Sequence, residues 1–134
     1  MIAADSSVVV AAFASWHESH DAASRALDGD VRLPSHAALE SYSVLTRLPA
    51  PHRAKPALVR SYLADRFSEP LLLLDSQAHK LLLDELVSLG IAGGAVYDGL
   101  ICATAREAEA TLITCDRRAA TTYERLRVSF RLLG

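Results

Sequence analysis

The chain of 134 residues is sized for one domain, since domains usually run to about 100–200 residues. Hydrophobic residues make up 51% and charged residues 22%, a balance that excludes disordered, collagen-like and coiled-coil chains, and no apolar run reaches the roughly 18–20 residues that span a bilayer. The 14 basic and 16 acidic residues leave a net charge of −2, without the basic excess that usually marks nucleic-acid binders.

The chain opens on a short apolar strand, residues 2–4, ending at Asp5. Ser6 and Ser7 are side chains that cap a helix, predicted over 8–14. A second helix over 18–27 stops at Gly29, and a short strand follows over 31–33. Pro34-Ser35 opens a helix over 36–48 that Pro49 and Pro51 end. The next helix, 55–67, carries Pro56 in its first turn. Four leucines at 71–74, between Pro70 and Asp75, predict a strand buried on both faces. A helix over 76–89 ends at Gly90, and Gly93-Gly94 precede a long helix over 95–110. Residues 111–115 predict a second buried strand closed by Asp116, followed by a helix over 117–125 and a last strand over 128–132. Five strands alternating with helices predict an α/β domain over 1–134, with a mostly parallel sheet covered on both faces. In such sheets ligands bind beyond the carboxyl ends of the strands, where the winding direction switches.

The two cysteines, Cys102 and Cys115, form no CxxC pair, which argues against a disulfide framework or thiolate zinc site and fits a reducing cytoplasm. The N-terminal MIAADSS has no basic stretch before an apolar one, so no secretory signal is read there.

Several acids stand out by position. Asp5 and Asp116 end strands and so project at the carboxyl edge of the sheet, although each also suits a helix cap. Asp98 shares its helix stripe with Gly94, Ala95, Ile101, Cys102 and Ala105. A carboxylate on that apolar stripe must be paired with an Arg, protonated or bound to metal. Glu40 lies on a mixed face, where Arg47 or Arg53 are available partners. Asp75 also ends an apolar run and precedes a helix, and is read as a cap alone.

The ordered set of an acid after the first strand, Glu40 in the helix after Pro34-Ser35, YDGLICATA and TLITCDRRA resembles the PIN-domain ribonucleases, and among them the VapC toxins of prokaryotic toxin–antitoxin pairs. The resemblance spans nearly the whole chain. It implies a three-layer PIN-like fold with about five strands, and an acidic pocket made by Asp5, Glu40, Asp98 and Asp116 that is both catalytic and metal-holding. It gives Thr114 a supporting role, steadying an acid or a bound water, and Ser6 one beside Asp5. Where some members carry a further acid beyond the last one, this chain has Arg117 and Arg118.

Four converging carboxylates repel one another, and Mg2+, or Mn2+, relieves that repulsion because both prefer oxygen ligands. The implied reaction is in-line attack of water on an RNA phosphate, leaving a 5′-phosphate and a 3′-hydroxyl. Without the four acids the rest of the chain holds 14 basic against 12 acidic residues. Arg117, Arg118 and Arg47 are the candidates for RNA phosphate, with Arg53, Lys55 and Arg60 nearby in sequence. The five histidines show no paired ligand spacing near the acids, and only His36, one turn before Glu40, stands close to one. Tyr42, Tyr62 and Tyr97 read as core residues, with base stacking as the alternative; Trp16 reads as packing or a dimer contact.

The implied partners are an RNA substrate, structured tRNA or rRNA loops being the family's usual targets, a small VapB-type antitoxin and a second copy of the chain, with no membrane. Two other readings stay open: a PIN nuclease of RNA processing without an antitoxin, and an inert PIN-fold binding module.

Overall fold

The computed structural model describes residues 1–134. Four strands, β1 (Ile2–Ala4), β2 (Val31–Arg32), β3 (Thr111–Thr114) and β4 (Phe130–Leu132), form one sheet in the order β2-β1-β3-β4. All three pairings are parallel, with Ala3 opposite Arg32 on one side and Leu112 on the other. Seven helices flank the sheet: α1 (Ser6–Phe13), α2 (His20–Ala26), α3 (Ser35–Thr46), α4 (Pro56–Arg66), α5 (Ser76–Leu89), α6 (Ala95–Glu107) and α7 (Arg117–Arg125). β1 and β3 are neighbours although the chain visits β2 between them, so the winding switches direction between these two strands.

The core runs through the sheet. Ala3, Ala4, Leu112 and Ile113 are fully buried and pack with Val8, Val9, Ile101, Tyr123 and Leu126 from the helices. Small residues on β1 let α1 and α6 lie close. On α6, Gly99 serves the same end: a Cβ there would stand 3.2 Å from a Leu86 methyl on α5. Arg106 ties three helices together, gripping Glu85 of α5 through two nitrogens at 2.7 and 3.0 Å and the Leu126 carbonyl behind α7 at 2.7 Å. Gly90 ends α5 in a left-handed conformation, φ 67°, which glycine adopts without a side-chain clash.

The predicted fifth strand at 71–74 does not form. Its contribution shrinks to one parallel bridge, Leu72 beside Pro34, with Leu72 N–H donating to the Leu33 carbonyl and Ser35 N–H to the Leu72 carbonyl, both at 2.9 Å. The ladder cannot grow either way: Pro70 has no N–H for the preceding rung, and α3 begins at Ser35. Burial on both faces is also lost, because Leu71 and Leu73 are exposed while Leu72 and Leu74 turn inward. This one-sided alternation is that of an edge segment.

Other boundaries move little. α1 starts at Ser6 because Asp5, not a serine, caps it, accepting from Val8 N–H. Asp75 caps α5, accepting the Ala78 N–H at 2.8 Å on an exposed surface. Asp75→Ala should lower stability in urea denaturation by about 1 kcal/mol, the cost of a lost N-cap.

Candidate active site

β1 and β3 end side by side, and each hands over to a helix through an aspartate. Asp5 closes β1 and caps α1; Asp116 follows β3 and caps α7, accepting the Arg118 N–H at 2.8 Å. Two helices supply the other acids. Glu40 sits in the first half of α3 and Asp98 in the first turn of α6, and α3 and α6 are in contact. The four sequence-predicted acids thus meet at the switch point of the sheet.

Their surroundings differ. Asp5 is 2% exposed. Its Oδ1 accepts from the Ser7 hydroxyl at 2.5 Å and Val8 N–H at 3.3 Å, and its Oδ2 from the Tyr123 hydroxyl at 2.8 Å. Burial raises its pKa, and the hydrogen bonds from Ser7, Thr114, Tyr123 and Val8 oppose that rise. Asp98 is half-buried, and its pKa is pushed up to about 6, first by desolvation and then by the charges of Glu40, Asp116 and Asp5. That the three other carboxylates all act on Asp98 is the electrical sign of their convergence. Asp75 is not among the groups that perturb it, so the residue that resembles Asp5 in sequence stands apart in space.

No arginine or lysine neutralises the group. The chain's two ion pairs are Arg106 with Glu85, and His36 with Glu40 at 3.8 Å. The arginine partners that the sequence offered to Asp98 and Glu40 are therefore not used. Glu40 instead accepts a short hydrogen bond from Ser6. Ser6, expected beside Asp5, thus bonds Glu40. The acids are not drawn into a closed three-ligand cage; like-charge repulsion opposes closer approach. The donor set is all oxygen, and each carboxylate oxygen has two lone pairs, so acceptor capacity remains after the hydrogen bonds above. Oxygen donors of this kind suit a hard divalent ion such as Mg2+ or Mn2+, and Asp98, Glu40, Asp116 and Asp5 would be the residues to hold one.

Thr114 is fully buried. Its hydroxyl accepts the Asp116 N–H at 3.0 Å and lies 3.2 Å from the Ser7 hydroxyl. Ser7 was not foreseen, yet it links the two strand ends: it donates to Asp5 and accepts the Cys115 N–H at 2.8 Å. Tyr123 was also missed. Its signal was present, because a tyrosine one turn beyond Ala119 on the apolar face of α7 needs a buried partner for its hydroxyl. Both thiols are held protonated by burial, with Cys102 pushed up to about 12 and Cys115 to about 11, so neither supplies a thiolate nucleophile at neutral pH.

A cleft of about 350 Å³ opens beside Asp116, lined in part by Ser6, Ser7, His17 and Arg117; Asp5, Glu40 and Asp98 are not in its wall. Arg117 and Arg118 are exposed beside Asp116. Arg47 is exposed at the far end of α3, about 10 Å along the helix from Glu40. Of the three tyrosines at 42, 62 and 97, only Tyr62 packs against the core as expected; Tyr42 and Tyr97 are exposed. Trp16 is exposed and packs on His52.

Two outcomes follow. Tyr123→Phe keeps the ring but strips a donor from buried Asp5, and urea denaturation at neutral pH should show a loss of about 1–3 kcal/mol. Asp98 holds its proton up to about pH 6 in the fold, against an ordinary aspartate value of 3.8. Between those values the native state binds the extra proton, so stability without metal is fullest below about pH 3.8 and declines as pH rises through about 6. Asp98→Asn removes this decline. In EDTA at about pH 7 it should be more stable than the wild type by about 1 kcal/mol, allowing for solvent screening, and the advantage should vanish by about pH 4.

Comparison with known proteins gives this geometry a family. The PIN domain model matches residues 2–125. The chain is 54% identical over 133 residues to Ribonuclease VapC40 of Mycobacterium tuberculosis, covering 99% of both chains. It is 40% identical over 128 residues to Ribonuclease VapC27 of the same organism, covering 95% of this chain and 93% of that one. Among solved structures, FitAcB from Neisseria gonorrhoeae shares the fold with a TM-score of 0.71 at 19% identity, over 97% of this chain and 96% of the other. VapBC2 from Rickettsia felis, bound to a DNA fragment from their promoter, does so with a TM-score of 0.68 at 18% identity, over 98% of each. The four-acid site lies at the switch point of a parallel sheet that matches this family from its first strand to its last helix, and the chain accordingly belongs to the PIN-domain family and, within it, to the VapC group.

Proposed function

We propose that this chain is a metal-dependent endoribonuclease, the toxin of a type II toxin–antitoxin pair. The observation that carries the reading is the meeting of Asp5, Glu40, Asp98 and Asp116 at the sheet's switch point with no arginine or lysine among them. The names of the relatives at 54% and 40% identity, both ribonucleases, support it.

The chain's own residues divide the work. Asp98, Glu40 and Asp116 are the more accessible acids and hold Mg2+ or Mn2+ against the substrate. Asp5, anchored below them, sets the floor of the pocket. A divalent ion bound there supplies Lewis acidity to a water nucleophile and neutralises charge on the phosphate in the transition state. Ser6 orients Glu40, while Ser7 and Thr114 lock the two strand ends on which Asp5 and Asp116 ride. Arg117, in the cleft wall, meets an RNA phosphate, with Arg118 beside it and Arg47 farther out. The cut leaves a 5′-phosphate and a 3′-hydroxyl, and structured tRNA or rRNA loops are the expected targets.

A VapB-type antitoxin holds the enzyme in check. FitAcB and VapBC2, which share this fold, support that assignment by the complexes their names denote. The active form is a homodimer. No helix is long and apolar enough to cross a membrane.

Cleavage of total cellular RNA, mapped at single-nucleotide resolution with magnesium, manganese or EDTA, tests the reading. Wild type should give discrete cuts that EDTA abolishes. Asp98→Asn should cut at least about 100-fold more slowly, the scale of losing a group that stabilises transition-state charge. Cuts that persist in EDTA or in Asp98→Asn would refute the assignment.

A further inference from the structure

Tyr97 directly precedes Asp98 on α6, and its ring is 54% exposed. It does not stand free. The imidazole of His36, in the first turn of α3, lies against it with ring centroids 5.2 Å apart and planes within 10° of parallel. This is the offset-stacked geometry that aromatic pairs favour. His36 therefore backs the ring, fixes its tilt and leaves the outer face to solvent. The same His36 reaches Glu40 at 3.8 Å, and Glu40 is bonded to Ser6, which lines the cleft beside Asp116 and Arg117. A continuous run of contacts thus joins the cleft, the acids and a braced, open aromatic face.

An exposed tyrosine alone needs no explanation. A tyrosine backed by a second ring, adjacent in sequence to one acid and linked through His36 to another, stands beside the acidic site with one face open. Every base offers a π-face, so a flat ring at that point takes a base whatever its identity.

We propose that Tyr97, backed by His36, is the stacking platform for a base flanking the phosphodiester that is cut. The inference rests on the ribonuclease reading and deepens it: the substrate favoured there is one with an unpaired nucleotide, because a base in a duplex must first be unpaired and unstacked before it can lie on a protein ring. The acids and Arg117 grip the phosphate, and Tyr97 sets which nucleotide lies across it. Tyr97 is a positioning residue, since the reacting atoms lie among the carboxylates.

The test uses the RNA segment that wild-type protein cuts, synthesised with an abasic ribose at each position around the cut in turn. Tyr97→Leu should raise KM ~10-fold, the scale of one lost base stack, with kcat nearly preserved because the acids are untouched. Tyr97→Phe, which keeps the ring, should restore KM relative to Tyr97→Leu. Tyr42→Leu, which removes an exposed tyrosine from the outer part of α3, should match the wild type. At one position the abasic substitution should weaken wild type by the same factor and cost Tyr97→Leu nothing further, the signature of a shared contact. Anisotropy of the labelled RNA in EDTA should show the same ordering without turnover. Wild type that cuts RNA while Tyr97→Leu keeps its KM, or abasic effects that multiply independently at every position, would overturn the platform alone. A Tyr97→Leu protein that cuts normally but no longer binds the antitoxin would assign the ring to a protein contact instead. Wild type that neither cuts nor binds RNA would remove the nuclease reading and the platform with it.

Discussion

The carboxylate of Asp5 is the constraint around which the molecule is arranged. It stands at the end of the central region of the sheet, almost sealed from water, with donors on both oxygens. An unpaired charge at that depth would cost several kcal/mol. The chain answers with Ser7 and Val8 from the start of α1 and with Tyr123 from the other end of the sequence. Those contacts fix more than one side chain. Ser7 also holds the backbone after β3, so the ends of β1 and β3 are locked in register. Tyr123 draws α7 onto the same spot, and Asp116 caps α7. Satisfying Asp5 therefore places Asp116.

Placing the remaining acids depends on helix packing. α6 lies close enough through Gly99 and its run of buried Ile101, Cys102, Ala103, Thr104 and Ala105, and its first turn then presents Asp98 to the strand ends. α3 begins at once after Pro34 and carries Glu40 to the same place. The result is a stability cost held in the native fold. Desolvation and then like charges raise the Asp98 pKa, and no arginine or lysine relieves them. Strain of this electrostatic kind is common where a site must take up an ion or a charged substrate, because binding then releases it.

Rigid and open parts are separated in the same design. Asp5 and Thr114 are buried; Asp98 and Glu40 are partly open; Asp116, Arg117 and Tyr97 face solvent. A substrate would meet the exposed groups first and the buried ones last, so the interior groups hold geometry while the outer ones select what binds. The relatives at 54% and 40% identity span nearly the whole chain, as expected where the site draws on β1, α3, α6 and α7 together.

Much of this was legible in the sequence. Short apolar runs ending in aspartate set β1 and β3 and their helices, since a strand must be apolar and a helix start must be capped. Asp98 on an otherwise apolar stripe announced itself by its cost. Four decisions belonged to tertiary structure. Pro70 and the start of α3 reduced the leucine run at 71–74 to one rung, which hydrophobicity cannot reveal because it depends on which backbone groups are free to pair. Ser7 rather than Ser6 bonds Asp5, because a one-residue step on a helix turns a side chain by about 100°. Tyr123, far away in sequence, joined Asp5 only once α7 had packed. Tyr97, alike in sequence to a core tyrosine, was left in the open against His36, because exposure is decided by which helices meet and not by residue type. Sequence fixed the kinds of group available and their local geometry; the meeting of distant elements decided which of them face one another.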